Sequence, residues 1–169
     1  MPGGLIEAGR AALLLVDMQE KLLPAMDAAG PVVENCAILL KAADRLGVPL
    51  IVSEQYPKGL GPTVPPLDAL IPAEAKSSKT HFSCAADPGL SARFDALDRR
   101  QVVIAGVEAH VCVLQTALGL AGRGRNGGSG LQGPAAANLR GGDQGPARHQ
   151  QAARTPAPKN GRGRSPVCL

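Results

Sequence analysis

The chain has 169 residues, which suits one ordinary domain and not two. Hydrophobic residues make up 44%, enough for a core, but aromatics only 2% (Tyr56, Phe82, Phe94), so that core is aliphatic. No apolar run reaches the roughly 18 residues of a membrane span, and the N-terminus lacks a secretory pattern, which excludes membrane chemistry from the reading. The formal charge of +4 is unevenly distributed: residues 1–120 hold ten Lys/Arg against thirteen acids, and residues 121–169 hold eight against one. Cys36, Cys84, Cys112 and Cys168 are widely spaced with no CxxC pair, which argues against a zinc ribbon or a disulfide framework and sets a reducing, cytoplasmic setting as the expectation.

In chain order, AALLLVDMQ (11–19) reads as a buried strand ending in a carboxylate. PVVENCAILLKAADRLG (31–47) has apolar positions at helical spacing, with Pro31 in its first turn and Gly47 as its stop. VPLIVSE (48–54) is a second buried strand, QYPKGLGPTVPP (55–66) a Gly/Pro-rich loop, and PGLSARFDAL (88–97) a short helix. QVVIAG (101–106) is a third buried strand, followed after a tight turn by a helix over HVCVLQTALGL (110–120). Strands that are apolar on both faces and alternate with helices predict an α/β fold, a parallel sheet covered on both sides. Residues 121–169 contain 11 of the 21 glycines and only four large aliphatics, too few to offset chain entropy, so this tail is expected to be disordered and the domain to end near Leu120.

In parallel sheets, chemistry gathers beyond the carboxyl ends of the strands. That rule selects Asp17 and Glu54, which end the first two strands, and Cys112, in the first turn of the helix after the third. At a helix N-terminus the unpaired N–H groups and the macrodipole favour a thiolate, which predicts a lowered pKa and an armed nucleophile. Asp17 is the candidate proton acceptor and Lys79 the candidate cation. From the residues alone, a buried packing cysteine is the competing reading of Cys112.

Four stretches, LLLVDMQEKLLP (13–24), VPLIVSEQYPKGLGPTVP (48–65), KTHFSC (79–84) and VVIAGVEAHVCVLQTAL (102–118), resemble the isochorismatase-like cysteine hydrolases, in the branch marked by the EQYPKGLGPT loop. The resemblance covers residues 11–120. It implies a Rossmann-like three-layer α/β/α fold and a catalytic triad of Asp17, Lys79 and Cys112. The spacing K-x-x-F-S selects Lys79 over Lys76. It also implies a cis peptide between Val107 and Glu108, in a Val107–Glu108–Ala109 turn that aims N–H groups at a substrate carbonyl, where the residues alone indicate only a tight strand-to-helix connection.

The activity so implied is hydrolysis of a small amide or related C–N bond through a thioester-type acyl-enzyme. Members that cleave isochorismate typically lack the cysteine, so Cys112 points away from that substrate. Gln19, Tyr56, Phe82 and His110 are the expected pocket residues. Nicotinamidases of this group often hold a metal between an Asp and two His after the second strand, but residues 53–66 contain no histidine, so no metal or other cofactor is expected. A small-molecule substrate and a homo-oligomer are the expected partners.

Beyond Leu120 the family continues with further strand–helix units, whereas this chain turns Gly/Pro/Arg-rich. The simultaneous break in charge, hydrophobicity and resemblance suggests a frameshift or sequence error from about residue 121, with the later strands missing or replaced. Two alternatives stand beside the hydrolase reading. One is a noncatalytic interaction protein on the same scaffold. The other is nonspecific nucleic-acid binding through the basic tail, disfavoured because the tail has no aromatics for base stacking.

Overall fold

The computed structural model describes residues 5–124, together with the backbone of residues 126–128. Strand β1 (Ala11–Val16) is buried at all six positions, as expected of a strand with no polar face. Helix α1 (Ala29–Leu46) buries Val32, Cys36, Leu40 and Ala43, a stripe at three- and four-residue spacing, and stops at Gly47, whose left-handed conformation closes its last turn. Strand β2 (Leu50–Gln55) follows after a short turn.

The stretch read as a loop, 55–66, contains the four-residue helix α2 (Pro57–Leu60) and the start of another, α3 (Pro65–Asp68). Each has proline in its first turn, where the ring presets φ, and each is too short to leave a periodic signature. Strand β3 (Lys76–Lys79) also escaped the sequence pattern, because KSSK has no apolar alternation. Helix α4 (Pro88–Ala96) is capped by Asp87, whose Oδ1 accepts from the Gly89 and Leu90 N–H groups at 3.1 Å each. Strand β4 (Gln101–Gly106) leads through a π-wound turn (Ala109–Val113) into helix α5 (Leu114–Gly122), and strand β5 (Asn126–Gly128) follows.

All described strand pairs are parallel, in the order β3-β2-β1-β4-β5. Alternating β1 residues divide the core. Leu13 and Leu15 pack with Val32, Cys36 and Leu40 of α1 and Leu67 of α3, whereas Leu14 and Val16 pack with Leu90 and Phe94 of α4 and Leu120 of α5. The result is the expected three-layer α/β/α arrangement. The boundary expected at Leu120 falls inside α5, and β5 then pairs with β4 through Gln101–Asn126, Val102–Gly127 and Val103–Gly128. The rest of the Gly/Pro/Arg-rich tail, with Cys168, lies outside the described residues.

One glycine is indispensable to the sheet edge. Gly106 has φ +140°, and a Cβ built on it would overlap the backbone of Val16 on β1. Gly106→Ala is therefore expected to combine a strained conformation with a backbone clash and to cost more than about 3 kcal/mol. Urea denaturation of the variant against the parent chain measures this.

Candidate active site

Strands β2 and β3 lie on one side of β1, and β4 and β5 on the other. The order therefore reverses between β1 and β4, and a crevice forms beyond their carboxyl ends. Asp17 directly follows β1, Cys112 lies in the π-wound turn after β4, and Lys79 closes β3, two strands away from β1. The long lysine stem spans that gap across the end of β2.

The three side chains meet. Lys79 Nζ donates to Asp17 Oδ2 at 2.8 Å, to Gln55 Oε1 at 2.6 Å and to Cys112 Sγ at 3.5 Å. An ammonium has three protons, and these three acceptors account for all of them. Ser53 Oγ donates to Asp17 Oδ1 at 2.7 Å, so both carboxylate oxygens are bonded. Asp17 and Lys79 side chains are wholly removed from solvent. Among the described residues no buried side-chain N or O atom lacks a partner, the condition under which a desolvated ion pair is tolerable.

The electrostatics differ from the sequence expectation at one point. Burial, and secondarily the Asp17 carboxylate, push the Cys112 thiol up to about 12, outweighing the pull of Lys79. The resting sulfur is a neutral thiol rather than the thiolate that a helix N-terminus predicts, because an anionic carboxylate shares the desolvated space. Burial works against the charge on Lys79, but Asp17 beside it, by charge and hydrogen bond, holds its pKa above the ordinary value. The Cys84 thiol is likewise raised, mainly by burial, and sits against the hydroxyls of Ser53 and Thr116.

Other expected site residues are distributed differently. Glu54 does not join the crevice: its Oε1 accepts from the Thr63 N–H and hydroxyl at 2.8 and 2.7 Å, bracing the loop after β2. Successive strand side chains point to opposite faces, so Ser53 and Gln55 reach the site and Glu54 cannot. Gln19 is a buried tie rather than open pocket wall, with Oε1 accepting from Gln55 N–H (2.7 Å) and Nε2 donating to the carbonyls of Gln55 (3.0 Å) and Gly61 (2.7 Å). Tyr56, Phe82 and His110 are exposed, on the loops after β2 and β3 and in the turn that carries Cys112. His81 is exposed and faces Asp87 at 3.3 Å.

The Val107–Glu108 peptide is trans, not cis as the resemblance implies. The chain reverses instead through Gly106 and through Glu108, which adopts a left-handed conformation (φ 59°, ψ 58°). The Val111 and Val113 N–H groups both turn onto the Glu108 carbonyl, at 2.9 and 3.4 Å. Asp17 is also left-handed, at φ 53°. Such non-glycine conformations cost about 1–3 kcal/mol and collect at functional sites. Ser53 and Gln55 are the site residues that sequence reading missed, and their alternate positions beside Ile51 on β2 were the available signal. Among the described residues no three metal-ligating side chains cluster.

Comparison with known proteins gives these residues a context. The isochorismatase domain family model matches residues 11–126. Isochorismatase domain-containing protein 1 of Salmo salar is 44% identical over 122 residues, covering 72% of this chain and 42% of that protein. Among solved structures, MAR1 ribonuclease from Caenorhabditis elegans superposes with TM-score 0.67 at 37% identity, over 73% of this chain and 64% of that one. The YcaC gene product of Escherichia coli, an octameric hydrolase of unknown specificity, superposes with TM-score 0.69 at 27% identity, over 75% and 64%. The chain thus spans less than two thirds of the length of these similar proteins.

Two outcomes follow from the buried charges. Lys79→Met leaves the Asp17 carboxylate buried without its cation and is expected to destabilise by about 3–5 kcal/mol, with much of the loss recovered in Asp17→Asn/Lys79→Met. Chemical denaturation of the single and double variants tests this coupling. The second outcome concerns alkaline pH. Burial pushes the Cys36 thiol up to about 11 and the Cys112 thiol up to about 12, from 9.0, and Lys79 and Cys84 are also raised. All four hold protons more tightly folded than unfolded, so their stability contribution is complete below pH 9 and is lost as pH climbs toward the folded values. Cys36 alone is expected to remove about 2 kcal/mol between pH 8 and 10.5, and urea midpoints for Cys36→Ala are expected to fall less steeply across that range.

Proposed function

This chain belongs to the isochorismatase family, and on that premise we propose that it is a cysteine hydrolase acting on a small amide or related C–N bond. The observation that carries the reading is the single ammonium of Lys79 bonded to both Asp17 Oδ2 and Cys112 Sγ inside a desolvated site. A nucleophile, a proton acceptor and a cation that holds both in register are the parts that acyl transfer requires.

The neutral state of Cys112 dictates the order of events. As the sulfur attacks the substrate carbonyl carbon, its proton passes to Asp17, so thiolate character develops only along the reaction coordinate. The sulfur then leaves the Lys79 N–H free to stabilise developing negative charge. N–H groups at the mouth of the π-wound turn, from Ala109 and His110, receive the oxyanion. Asp17 returns its proton to the departing nitrogen as the C–N bond breaks, leaving a thioester on Cys112. Asp17 next takes a proton from water, whose oxygen attacks the thioester carbonyl. The acid departs and the proton returns to sulfur.

Tyr56, Phe82 and His110, exposed on the segments around the crevice, form the rim that selects the substrate. Self-association is part of the proposal, in keeping with the octameric YcaC product; Leu114 and Leu118 expose apolar surface on α5. The test is hydrolysis of a panel of small primary amides and carbamoyl compounds, followed as released ammonia. The parent chain is expected to turn over at least one of them, and Cys112→Ala to lose at least about a thousandfold in kcat. A Cys112→Ala protein that keeps the parent rate would overturn the reading.

A further inference from the structure

Ser53 grips Asp17 at two points. Its carbonyl accepts the Asp17 N–H at 3.0 Å, which extends the β1–β2 ladder one residue past the Val16–Ser53 pair. Its hydroxyl donates to Asp17 Oδ1 at 2.7 Å. The first bond helps hold a non-glycine residue in a left-handed conformation, and the second sets the rotation of the carboxylate. That rotation needs setting, because the terminal torsion of an aspartate is broad and intrinsically ill-determined.

Lys79 cannot do this by itself. Its stem has four rotatable carbons, and its ammonium is shared with Gln55 and Cys112. Serine has one side-chain torsion and stands on a strand paired on both sides. The Cys84 thiol, in the turn between β3 and α4, lies against the serine hydroxyl, and the Cys84 N–H is held by Thr116 Oγ1 at 2.9 Å. Ser53, Cys84 and Thr116 are all buried.

We infer that Ser53 is the positioning residue of the base: by clamping Asp17 Oδ1 it keeps the carboxylate turned so that the Cys112 proton can be taken. The inference rests on the hydrolase reading above and adds to it a residue outside the triad. It does not require Ser53 to touch substrate.

Alkylation of Cys112 by iodoacetamide isolates this step. A carbon–sulfur bond forms, iodide leaves, and the thiol proton goes to Asp17. Rates at Cys36, Cys84 and Cys112 at pH 7.5 are read separately by peptide mass mapping of the intact chain after timed exposure. Ser53→Ala is expected to slow Cys112 about tenfold while Cys36, packed on the opposite face of the sheet, keeps its parent rate. Ser53→Thr, which retains the hydroxyl, is expected to stay within about threefold of the parent at Cys112.

The sign separates positioning from mere structural support. A loosened or unfolded Ser53→Ala protein exposes its thiols and alkylates all three faster, which overturns the inference. An unchanged Cys112 rate in Ser53→Ala, or a Thr variant as slow as the Ala variant, overturns it as well. The hydrolase reading fails separately, and visibly, if Cys112 of the parent chain reacts no faster than Cys36.

Discussion

A lysine ammonium and an aspartate carboxylate, buried together out of contact with bulk solvent, are the constraint around which the rest of the site is arranged. Each charge taken alone into the interior costs several kcal/mol, and mutual attraction offsets this only when the remaining donors and acceptors are also satisfied. Here they are: the ammonium has three acceptors, and the carboxylate has a second donor in Ser53. The pair also binds distant parts of the chain together, since its members lie 62 residues apart on the ends of β1 and β3. A sheet order that runs outward from β1 to β3 and then returns to β4 leaves the space beside β1 in which the two can meet Cys112.

The same pair explains the protonation of Cys112. A thiolate placed beside an existing carboxylate in a medium of low polarity is opposed by burial first and by like charge second, and one lysine does not compensate for both. The site therefore holds a carboxylate beside a neutral thiol, not beside a ready thiolate. In the hydrolysis proposed above, such an arrangement lets proton removal and bond formation coincide.

Around this centre the loop after β2 is tied down by hydrogen bonds among buried and half-buried polar groups. Gln19 bonds to Gln55 and Gly61, Glu54 bonds to Thr63, and the Tyr56 N–H reaches the Lys79 carbonyl at 2.9 Å. These bonds fix the end of β2, from which Ser53 and Gln55 project into the site. The exposed ring of Tyr56 is thereby carried on a supported frame rather than on a free loop.

The amino-acid sequence by itself determined the layered α/β fold, because runs such as AALLLV and QVVIAG have no polar face and can exist only between two helical layers. It also marked Asp17, Lys79 and Cys112, through strand ends and through resemblance. It did not reveal β3, α2 or α3, whose four-residue lengths are too short for periodicity to register. Three-dimensional packing decided the rest. Glu54 and Ser53 are neighbours in sequence, yet the two-residue period of a strand sends one to a loop and the other to Asp17. Gln19, polar and near Asp17, has the sequence position of a pocket residue, but its partners 36 and 42 residues away make it a brace. The Val107–Glu108 peptide is trans, with positive φ at Gly106 and Glu108 on either side of Val107. The state of the sulfur depended most on tertiary structure: a helix N-terminus is a local feature and favours the anion, whereas desolvation and the approach of Asp17 exist only once the chain has folded, and together they are the larger effect.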